Sequence, residues 1–521
     1  MSPVQVPTVG EPTVSVVMLT YGGREWVEAS LRALVDSTPP VYELVVVDNA
    51  SPDGTGEWLA RNLQGAQLVR NASNVGFGPG VNQAALLARA PYLCLLNSDA
   101  LVTPGWLAAM VACLEGAEGC GAVVPMLLNL DGTLQEAGAV VGREGTTMSI
   151  GWRDDPSRPW YCFPRYVPYG SGACLVVRRS DFLALGGFDP AYGKGYFEDV
   201  DLCFQMAQAG LRVAYEPRAV VRHVRGASSS AGLVARLREA NREEFCRRWG
   251  AELARLPSLV DLPRHPYRAI AARDAGTPDR VLVVTDRLPR QRQGSRAGDL
   301  AFGLAGVAGQ ARITMVGLED LGPAEEASWL LDAGVELIWG VGDWEDWMGR
   351  HLCHFGVAVV VAAPGQGAGP PEAAGTPEAP GPPGGAGTPE GAAGAGAAGA
   401  GFRSAGGDDP VMRRASSLLE RYQPQAAVVL DLPSPEALAR VPSSLLARAE
   451  ELWCPSPPAQ EAAGGLRVSA VGPASPEGMD RALAAALARL GVVPTGPAGW
   501  PRRGAVPAGW PEERGPRTAP G

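Results

Sequence analysis

The sequence predicts an α/β protein with a mixed, mainly parallel sheet, followed by a second α/β region. Near the N-terminus, nearly continuous apolar runs at residues 14–19 and 42–47 flank a stretch with helical periodicity. Buried strands joined by one helix are typical of a right-handed parallel βαβ unit. The alternation of strands and helices resumes at residues 280–285, and 521 residues are too many for one ordinary domain. We therefore expect at least two domains.

The overall composition argues against several classes of protein. The formal net charge is −10 and no basic stripe is visible, which argues against a nucleic-acid partner. Nine cysteines occur without a CxxC pair, as expected for buried thiols in a reducing compartment. The N-terminus lacks the pattern of a signal peptide, and no stretch approaches the ~20 apolar residues of a membrane span. We expect a cytoplasmic protein, soluble or peripheral at the inner face of the membrane, whose oligomeric state stays open.

The apolar pattern divides the chain into segments. The expected boundaries are 1–265 for the first domain, 279–363 for a second, Rossmann-like α/β region, 364–410 for a disordered Gly/Ala/Pro-rich insert, 411–491 for the continuation of the second region, and 492–521 for a disordered tail. In the first domain we expect a closing helix at 233–249. In the second region we expect strands at 280–285, 313–316, 335–338, 357–361 and 426–430, and helices at 435–452 and 479–490.

A first pair of polar positions follows the first two strands. Thr20 and Tyr21 end one strand, and Asp48 ends the next. In an open parallel sheet, ligands bind beyond the carboxyl ends of the strands. A carboxylate there can accept a hydrogen bond from a ribose hydroxyl or a base N–H. The alternative is that Asp48 only caps a helix or stabilises a turn.

A glycine-rich loop opens a helix further along the chain. It runs from Asn71 to Asn82 and includes Asn74 and Gly76. Such a loop can bring backbone N–H groups against a diphosphate or a base. The alternative is a plain turn between a strand and a helix.

A third cluster combines a carboxylate and an amide at the end of a hydrophobic strand. Asn97 and Asp99 stand two positions apart directly after that strand. Their oxygens suit a hard divalent cation such as Mg²⁺ or Mn²⁺. His223 ends a later short strand and could complete such a site. The alternatives are an ordinary turn and a structural histidine.

The fourth cluster gathers three carboxylates within four positions. Glu198, Asp199 and Asp201 stand at the start of a predicted helix. Such charges repel each other unless a cation or a substrate compensates. Glu198 or Asp199 could act as a general base toward an acceptor hydroxyl. The alternative is favourable capping of the helix, which could be the sole role of Asp201.

Together, these motifs resemble glycosyltransferase family 2, specifically its rhamnosyltransferase-like branch with the GT-A fold. The resemblance covers residues 14–229, under half of the chain. The motifs that carry it are, in order, Val-Val-Met-Leu-Thr-Tyr, Val-Val-Val-Asp-Asn-Ala-Ser-Pro-Asp-Gly, Asn-x-Gly-Phe-x-x-Gly-x-Asn, Leu-Leu-Asn-Ser-Asp-Ala, Gly-Gly-Phe-Asp, Phe-Glu-Asp-Val-Asp-Leu-Cys and the late histidine.

The resemblance implies a role for each matching residue. Asp99 would be the metal-binding carboxylate of an Asp-x-Asp site whose first member is Asn97 here, and His223 would ligate the metal or contact the diphosphate. Asp199 would be the catalytic base, with Glu198 beside it. The remaining matching positions would bind the donor: Thr20, Tyr21, Asp48, Asn74, Gly76, Asn82 and Asn97. The implied reaction inverts the anomeric carbon by direct displacement, with Mg²⁺ or Mn²⁺ as cofactor.

The second α/β region resembles the N-terminal half of a GT-B-type glycosyltransferase. The similarity rests on Val281 to Pro289, Gln293 to Arg296, and the region near Ala447 to Pro473. The donor-binding half of such an enzyme does not follow in the sequence. We therefore expect this half-domain to be degenerate and catalytically silent.

The sequence leads to one main functional hypothesis and two alternatives. The main one is an inverting glycosyltransferase that moves a sugar from a dTDP- or UDP-sugar, rhamnose among the candidates, to a saccharide or lipid-linked saccharide in surface polysaccharide or cell-wall glycan synthesis. The first alternative is a catalytically impaired sugar-nucleotide-binding or scaffold protein, motivated by Asn97. A nucleotidyltransferase is disfavoured, because no Gly-rich loop with a basic residue follows the first strand.

Overall fold

The computed structural model describes most of the first half of the chain and separate strands of the second half. Every structural statement below concerns the described residues, which are 2–117, 119–224, 231–260, 273, 280–285, 288–289, 312–317, 327–339, 357–361, 427–431, 449–454 and 467–470.

The N-terminal elements alternate between strands and helices. They are β1 (Val4–Gln5), β2 (Val14–Thr20), α1 (Arg24–Ser37), β3 (Tyr42–Asp48), α2 (Thr55–Asn62), β4 (Leu63–Gln64), β5 (Gln67–Arg70), α3 (Phe77–Leu87), β6 (Tyr92–Leu96), β7 (Ala100–Val102) and α4 (Trp106–Gly116). The helix that the pattern placed at residues 81–90 begins earlier, inside the glycine-rich loop.

Longer strands and short loops follow. The elements are β8 (Cys120–Leu128), β9 (Leu134–Glu136), β10 (Ala139–Val141), β11 (Thr147–Ser149), β12 (Arg165–Val167), β13 (Cys174–Arg178), α5 (Arg179–Ala184), α6 (Glu198–Gln208), β14 (Arg212–His223) and α7 (Ala231–Leu253), with 3₁₀ turns at Pro159–Tyr161 and Pro190–Tyr192. The strand predicted before His223 is thus the end of a longer one that begins at Arg212.

One ten-stranded sheet organises this part of the chain. Its main order is β12-β14-β8-β13-β6-β2-β3-β5, with β7 paired to β14 and β9 paired to β8. The strands β6, β2, β3 and β5 run parallel. On the other side of β6, the strand β13 runs antiparallel to both β6 and β8. The structure confirms the predicted mixed α/β fold.

Two hydrophobic cores cover the two faces of this sheet. Helices α1, α2 and α4 pack on one face, and α3, α5, α6 and α7 pack on the other. Alternate residues of each central strand serve opposite cores, as Val16 and Val17 of β2 do. Because both faces are covered, the central strands read as continuous apolar runs, which made them recognisable in the sequence.

The strand register brings the first candidate residues to one edge. Thr20 of β2 pairs with Asp48 of β3, and Asp48 pairs in turn with Arg70 of β5. The parallel strand β6 ends at Leu96, so Asn97 follows at the same carboxyl edge. These residues therefore share the carboxyl edge of the parallel strands, where ligands bind in open α/β sheets.

The described strands of the second half form a separate parallel sheet of seven strands. They are β15 (Arg280–Thr285), β16 (Arg312–Gly317), β17 (Glu336–Ile338), β18 (Val357–Val361), β19 (Ala427–Asp431), β20 (Ala449–Cys454) and β21 (Arg467–Ala470), and helix α8 spans Ser328–Asp332. Their order in the sheet is β17-β16-β15-β18-β19-β20-β21. The assignment of this region to a GT-B half-domain stays a prediction.

The helix expected at residues 435–452 is wrong at its C-terminal end. Residues 449–452 were predicted to be helical but belong to β20, which pairs with both β19 and β21. The earlier part of that helix, the helix expected at 479–490, the insert at 364–410 and the tail at 492–521 lie outside the described residues.

Candidate active site

Asp48 is held at the sheet edge between a turn and an arginine. Its side chain is almost fully buried, and its Oδ1 accepts a hydrogen bond from the Ser51 backbone N–H at 3.0 Å. The Nε of Arg70 lies 3.6 Å from Oδ2. Thr20 beside it is buried, whereas Tyr21 is 40% exposed. The three predicted nucleoside-binding residues thus share one corner, with Tyr21 at its open side.

The carboxylate of Asp48 also fixes the packing of helix α2. A Cβ added at Gly56 would lie 1.9 Å from Asp48 Oδ2, closer than any real contact allows. Gly56 is therefore required by the close approach of the α2 backbone to this carboxylate. Nothing in the local sequence pattern indicated this contact.

A cluster of asparagine amides joins this corner to the glycine-rich loop. Asn49 Nδ2 donates to Asn74 Oδ1 at 3.0 Å and to the Gly76 carbonyl at 3.1 Å. Asn49 Oδ1 accepts from the Val75 N–H and from Asn71 Nδ2. Asn74 and Gly76 therefore lie next to the predicted nucleoside corner. Asn49, which sequence reasoning placed there without assigning it a role, holds the two segments together.

Asn82 makes a different set of contacts. Its Oδ1 accepts from the Phe188 N–H at 2.9 Å, and its Nδ2 donates to the Phe188 carbonyl at 2.8 Å. These bonds tie helix α3 to the turn that contains Gly186 and Gly187. A contact between Asn82 and the donor stays a prediction.

Asp99 and His223 face each other as the sequence predicted for a cation site. His223 Nε2 lies 3.2 Å from Asp99 Oδ1, and both side chains are mostly buried. The two side chains are close because Ala100 of β7 pairs with His223 of β14. Asn97 Nδ2 lies 3.3 Å from the same Nε2.

A chain of amides fixes which nitrogen of His223 faces Asp99. His223 Nδ1 lies 2.7 Å from Gln135 Oε1. Gln135 Nε2 donates to the His223 carbonyl at 3.0 Å and to Asn129 Oδ1 at 3.1 Å. Asn129 Nδ2 in turn donates to the Leu134 carbonyl at 3.2 Å, so each amide orientation is set by the next. In neutral His223 the proton therefore sits on Nδ1, and the lone pair of Nε2 faces Asp99.

This arrangement fits a divalent cation with few protein ligands. A carboxylate oxygen and an imidazole lone pair at 3.2 Å repel each other unless a proton or a cation lies between them. Both are good ligands for Mn²⁺, and Mg²⁺ usually takes one or two carboxylates plus substrate phosphates and water. In the parts of the chain that the structure describes, no group of three or more His, Cys, Asp or Glu side chains is placed to hold a metal. Asp99 and His223 would thus share the ion with the substrate.

Glu198 and Asp199 lie in the first turn of α6, as predicted. The N-cap residue, Phe197, makes no side-chain capping bond, and all three acidic residues lie in the first turn, where the helix dipole favours them, so the capping alternative stays open. Asp199 Oδ2 accepts from the Gly172 N–H and its Oδ1 from the Val200 N–H, both at 2.9 Å. Glu198 is 6% exposed, and its Oε2 is a buried oxygen without a hydrogen-bond partner among the described residues. An unpaired buried carboxyl oxygen is costly and indicates a function.

The two neighbouring carboxyls titrate differently. Burial and, secondarily, the charge of Asp199 raise the pKa of Glu198 to about 8. Burial also raises the pKa of Asp199, and the N–H groups of Gly172 and Val200 lower it in part. A pKa of about 8 means that Glu198 keeps its proton near neutral pH.

Asp201 has a structural role. Its side chain is fully buried and accepts hydrogen bonds from the Tyr192 hydroxyl, Gln205 Nε2 and Trp249 Nε1, while Arg248 Nη1 lies at 3.2 Å. It joins α6 to α7 and to the preceding turn, and no oxygen is left for chemistry.

A strained turn presents the two carboxyls. Tyr196 and Phe197 both have left-handed backbones, with φ of 74° and 73°. Each such residue costs on the order of 1–3 kcal/mol, and such conformations cluster at active sites. The turn packs against the glycine-rich loop, because a Cβ on Gly76 would lie 2.2 Å from the Gly193 carbonyl oxygen.

The segment before β13 connects the candidate cation site to the carboxyls at the start of α6. The Asn97 N–H donates to the Ala173 carbonyl at 2.9 Å, and Gly172 bonds to Asp199 as described above. The Ser171 N–H donates to Glu136, the neighbour of Gln135 in β9. The structure thus links the predicted motifs through residues that the sequence did not single out.

Sequence reasoning missed Gln135, which left no signal, and Asn241, whose signal indicates a buried hydrogen bond but not its partner. Gln135 stands in a short strand that is otherwise easily overlooked, and its role depends on a partner 88 positions away. Asn241 interrupts an apolar stripe of α7 that continues through Phe245 and Trp249 at a spacing of four. A polar residue in such a stripe indicates a buried hydrogen bond.

The sequence of this region matches one family. The profile of "Glycosyl transferase family 2" matches residues 15–182. The N-acetylglucosaminyl-diphospho-decaprenol L-rhamnosyltransferase of Mycobacterium tuberculosis is 29% identical over 233 residues, which are 40% of this chain and 75% of that protein. The O-antigen biosynthesis protein RfbC of Myxococcus xanthus is 29% identical over 246 residues, 44% of this chain and 19% of RfbC. An uncharacterized protein of Sinorhizobium fredii is 30% identical over 43% of this chain, which is 25% of that protein.

The solved structures that are similar share less sequence. Staphylococcus aureus TarS 1–349 in complex with UDP-GlcNAc is 16% identical, with 51% of this chain and 71% of that chain covered and a TM-score of 0.36. GalNAc-T7 with UDP, GalNAc and Mn²⁺ is 20% identical over 40% of this chain and 43% of that chain, with a TM-score of 0.34.

The segment matched by the family profile, residues 15–182, contains the strand-end motifs from Thr20 to Asp99. This chain spans three quarters of the length of the rhamnosyltransferase but a quarter or less of the length of the other two relatives. Among the described residues, no helix combines the length and hydrophobicity needed to cross a membrane. The N-terminal part of this chain is a glycosyl transferase family 2 domain.

Proposed function

We propose that this chain is an inverting, metal-dependent glycosyltransferase that moves a sugar from a dTDP- or UDP-sugar to a hydroxyl acceptor. One observation carries the proposal. A carboxylate–imidazole pair, Asp99 and His223, is linked through the segment at Gly172–Ala173 to the adjacent carboxyls of Glu198 and Asp199. A cation site beside a base is what direct displacement at a sugar requires.

The nucleoside end of the donor is assigned to the corner of β2 and β3. Thr20, Tyr21 and Asp48 are placed to contact the base and ribose, with the Asp48 carboxylate as acceptor. Asn74 and Gly76 would extend this surface toward the diphosphate, since α3 begins there and no side chain caps its N-terminus.

The diphosphate end is assigned to the cation site. A divalent cation, when bound, neutralises the charge that develops on the departing nucleoside diphosphate. In the chain itself, Asp99 and the Nε2 of His223 would hold the ion. Gln135 keeps the His223 ring in the orientation and tautomer that a metal ligand needs.

Asp199 is assigned as the base. The acceptor hydroxyl would give its proton to Asp199 as it attacks the anomeric carbon from the side opposite the nucleotide. Glu198 remains protonated beside it, so the negative charge stays on one carboxylate. General-base catalysis of this kind contributes about 10²–10⁴-fold in rate.

The acceptor class follows from the relatives. One of them is named for transfer of L-rhamnose to N-acetylglucosaminyl-diphospho-decaprenol, and another for O-antigen biosynthesis. We propose a saccharide or lipid-linked saccharide acceptor in surface polysaccharide or cell-wall glycan synthesis, with dTDP-rhamnose and UDP-sugars as the donors to test first. A lipid-linked acceptor would place the protein at the inner face of the membrane.

A second candidate function is a sugar-nucleotide-binding or scaffold protein without turnover. The observation that favours it is Asn97, whose amide nitrogen, which is not a metal ligand, is directed at His223. This leaves the cation two side-chain ligands and lowers the expected metal affinity.

Sugar transfer with a panel of donors separates the two candidates. UDP-, GDP- and dTDP-sugars are incubated with Mn²⁺ or Mg²⁺ and a lipid-linked GlcNAc diphosphate, and donor binding is followed by thermal shift. A donor at a hundred times its Kd should stabilise the protein by about 2.7 kcal/mol. Transfer that disappears with a chelator supports the enzyme. Donor binding without transfer for every donor supports the scaffold.

A further inference from the structure

We propose that Asn241 of α7 is a positioning residue, which holds the turn at residues 192–197 in the strained form that presents Glu198 and Asp199. The inference rests on the proposed function of those two carboxyls. It concerns a residue that lies outside the segment matched to the family.

The side chain of Asn241 donates hydrogen bonds to three backbone carbonyls of one turn. Its Nδ2 lies 2.8 Å from the Tyr192 oxygen, 2.8 Å from the Gly195 oxygen and 2.9 Å from the Tyr196 oxygen. An amide nitrogen has two N–H donors, so the three acceptors share them. The residue is 9% exposed, and water therefore cannot easily replace these bonds.

These three hydrogen bonds, called the clamp below, are needed because the backbone conformation of the turn is energetically unfavourable by itself. Tyr196 and Phe197 are consecutive left-handed residues with side chains, and the next residue is Glu198. A conformation of this kind persists only where the surroundings determine it. If the carbonyls were released, these two residues would relax toward negative φ, and the first turn of α6 would move with them.

Helix α7 is itself well anchored, so it can serve as a fixed support. The Phe245 ring packs against Phe197 and Phe204, with centroids 5.4 Å and 5.0 Å apart. Trp249 Nε1 donates to Asp201 at 2.7 Å. Asn241 lies one turn before Phe245 on the same stripe. An apolar residue there could pack equally well but could not donate to the carbonyls.

The clamp acts on the base through the backbone. The three hydrogen bonds of Asn241 all go to main-chain oxygens of the turn. Its loss should therefore misplace Asp199 relative to the acceptor and lower kcat. Donor binding should be retained, since the corner of Thr20 and Asp48 lies on other elements. Misplacement by about 1 Å can cost about 10²-fold in rate.

The chain offers a direct probe of this turn, because Lys194 is its only lysine. A lysine-specific endoprotease can cut the full chain only between Lys194 and Gly195, inside the clamped segment. Cleavage under native conditions reports how often the turn opens and needs no activity assay.

The experiment compares the wild type with Asn241→Asp, Asn241→Ala and the control Glu243→Ala. Asn241→Asp keeps the shape of the side chain but replaces the donating amide nitrogen by a carboxylate oxygen, which faces the carbonyls. If Asn241→Asp does not fold, Asn241→Ala still removes the donor and allows the comparison. Glu243 lies on the exposed side of the same helix. Cleavage rate, melting temperature, donor affinity and kcat are measured on each full-length protein.

We expect both Asn241 variants to be cut at least about tenfold faster, which corresponds to about 1.4 kcal/mol of lost hydrogen bonding. We also expect kcat to fall about 10²-fold with the KM for the donor unchanged, and Glu243→Ala to behave as the wild type. Unchanged cleavage overturns the clamp. Faster cleavage with unchanged kcat overturns the positioning role. A wild type that transfers no sugar contradicts the proposed function instead, and the cleavage rates still decide the clamp.

Discussion

At the residue scale, the chemistry depends on how two adjacent carboxyls are surrounded. Asp199 accepts two backbone N–H groups, whereas the Oε2 of Glu198 is buried without a partner among the described residues. The pKa of Glu198 rises to about 8 as a result of burial and of its charged neighbour. Burial raises the pKa of both carboxyls, but the N–H groups of Gly172 and Val200 offset this rise in part at Asp199, which favours Asp199 as the base.

The raised pKa of Glu198 should make stability depend on pH. The folded protein keeps this proton up to about pH 8, whereas the unfolded chain loses it near 4.5. The unfolded state therefore binds fewer protons between these values, and this residue lowers stability as the pH rises from about 4.5 to about 8. We predict that Glu198→Gln removes this contribution, so the variant gains up to a few kcal/mol over the wild type at pH 8.

Urea unfolding of both proteins from pH 5 to pH 8, followed by tryptophan fluorescence, measures this difference. The extra free energy of unfolding of Glu198→Gln over the wild type should be small at pH 5 and grow steadily as the pH rises. A difference that is independent of pH would show that Glu198 is ionised in the folded protein at pH 5. Glu243→Gln, on an exposed surface, serves as the matched control and should show no trend.

At the element scale, the site depends on a few very close approaches. The backbone of α2 reaches Asp48 at Gly56, and the glycine-rich loop reaches the turn before α6 at Gly76 and Gly193. These contacts bring helices on both faces of the sheet to the carboxyl ends of its parallel strands.

A methyl group at Gly56 should therefore damage donor binding. The added Cβ would lie 1.9 Å from Asp48 Oδ2, so either the carboxylate or α2 must move. We predict that Gly56→Ala weakens donor affinity about 10-fold or more, since overpacking typically costs about 1–3 kcal/mol. Isothermal titration with the sugar nucleotide measures the loss.

Gly250→Ala is the control for this change. A Cβ at Gly250 meets nothing within 4 Å, so the helical alanine should leave donor affinity unchanged. Equal affinity of Gly56→Ala and the wild type would show that Asp48 does not contact the donor.

The sequence predicted those site residues whose position depends on local pattern. Thr20, Asp48 and Asn97 follow runs of buried strand residues, and Asp199 opens an amphipathic helix, so their places could be read from neighbours in the chain. Their proximity followed from the rule for parallel strands.

The supporting residues could not be predicted because their partners are remote in the sequence. Gln135 meets His223 across 88 positions, and Asn241 meets the turn across more than 40. The end of the helix expected at 435–452 was wrong for a related reason. Ala449 to Leu452 favour a helix by local propensity, but pairing with two neighbouring strands places them in a sheet.

At the scale of the whole molecule, the candidate site belongs to one part of the chain. Every predicted site residue lies between Thr20 and His223, and the ten-stranded sheet with its two helical layers supports them all. The seven-stranded sheet of the second half contributes none of them. A buried pair, Arg273 and Glu336, and apolar side chains of β15 to β17 nevertheless adjoin the first core.

A chain ending at residue 265 should therefore keep its donor site. We predict unchanged donor affinity but a lower melting temperature, because apolar surface that β15 to β17 cover would become exposed. Calorimetry with the sugar nucleotide and thermal unfolding measure both. A shortened chain that folds but no longer binds the donor would show that the second half contributes to the site.

The central claim is that Asp199 removes the proton of the acceptor hydroxyl while Asp99 and His223 serve the donor. Its most direct test is the rate of sugar transfer by Asp199→Asn with saturating Mn²⁺ and donor, with donor affinity measured on the same sample. Asp155→Asn, an exposed aspartate bonded only to Ser157, is the matched control. The account predicts that Asp199→Asn binds the donor like the wild type and transfers sugar about 10²–10⁴-fold more slowly. Transfer at the wild-type rate would contradict it.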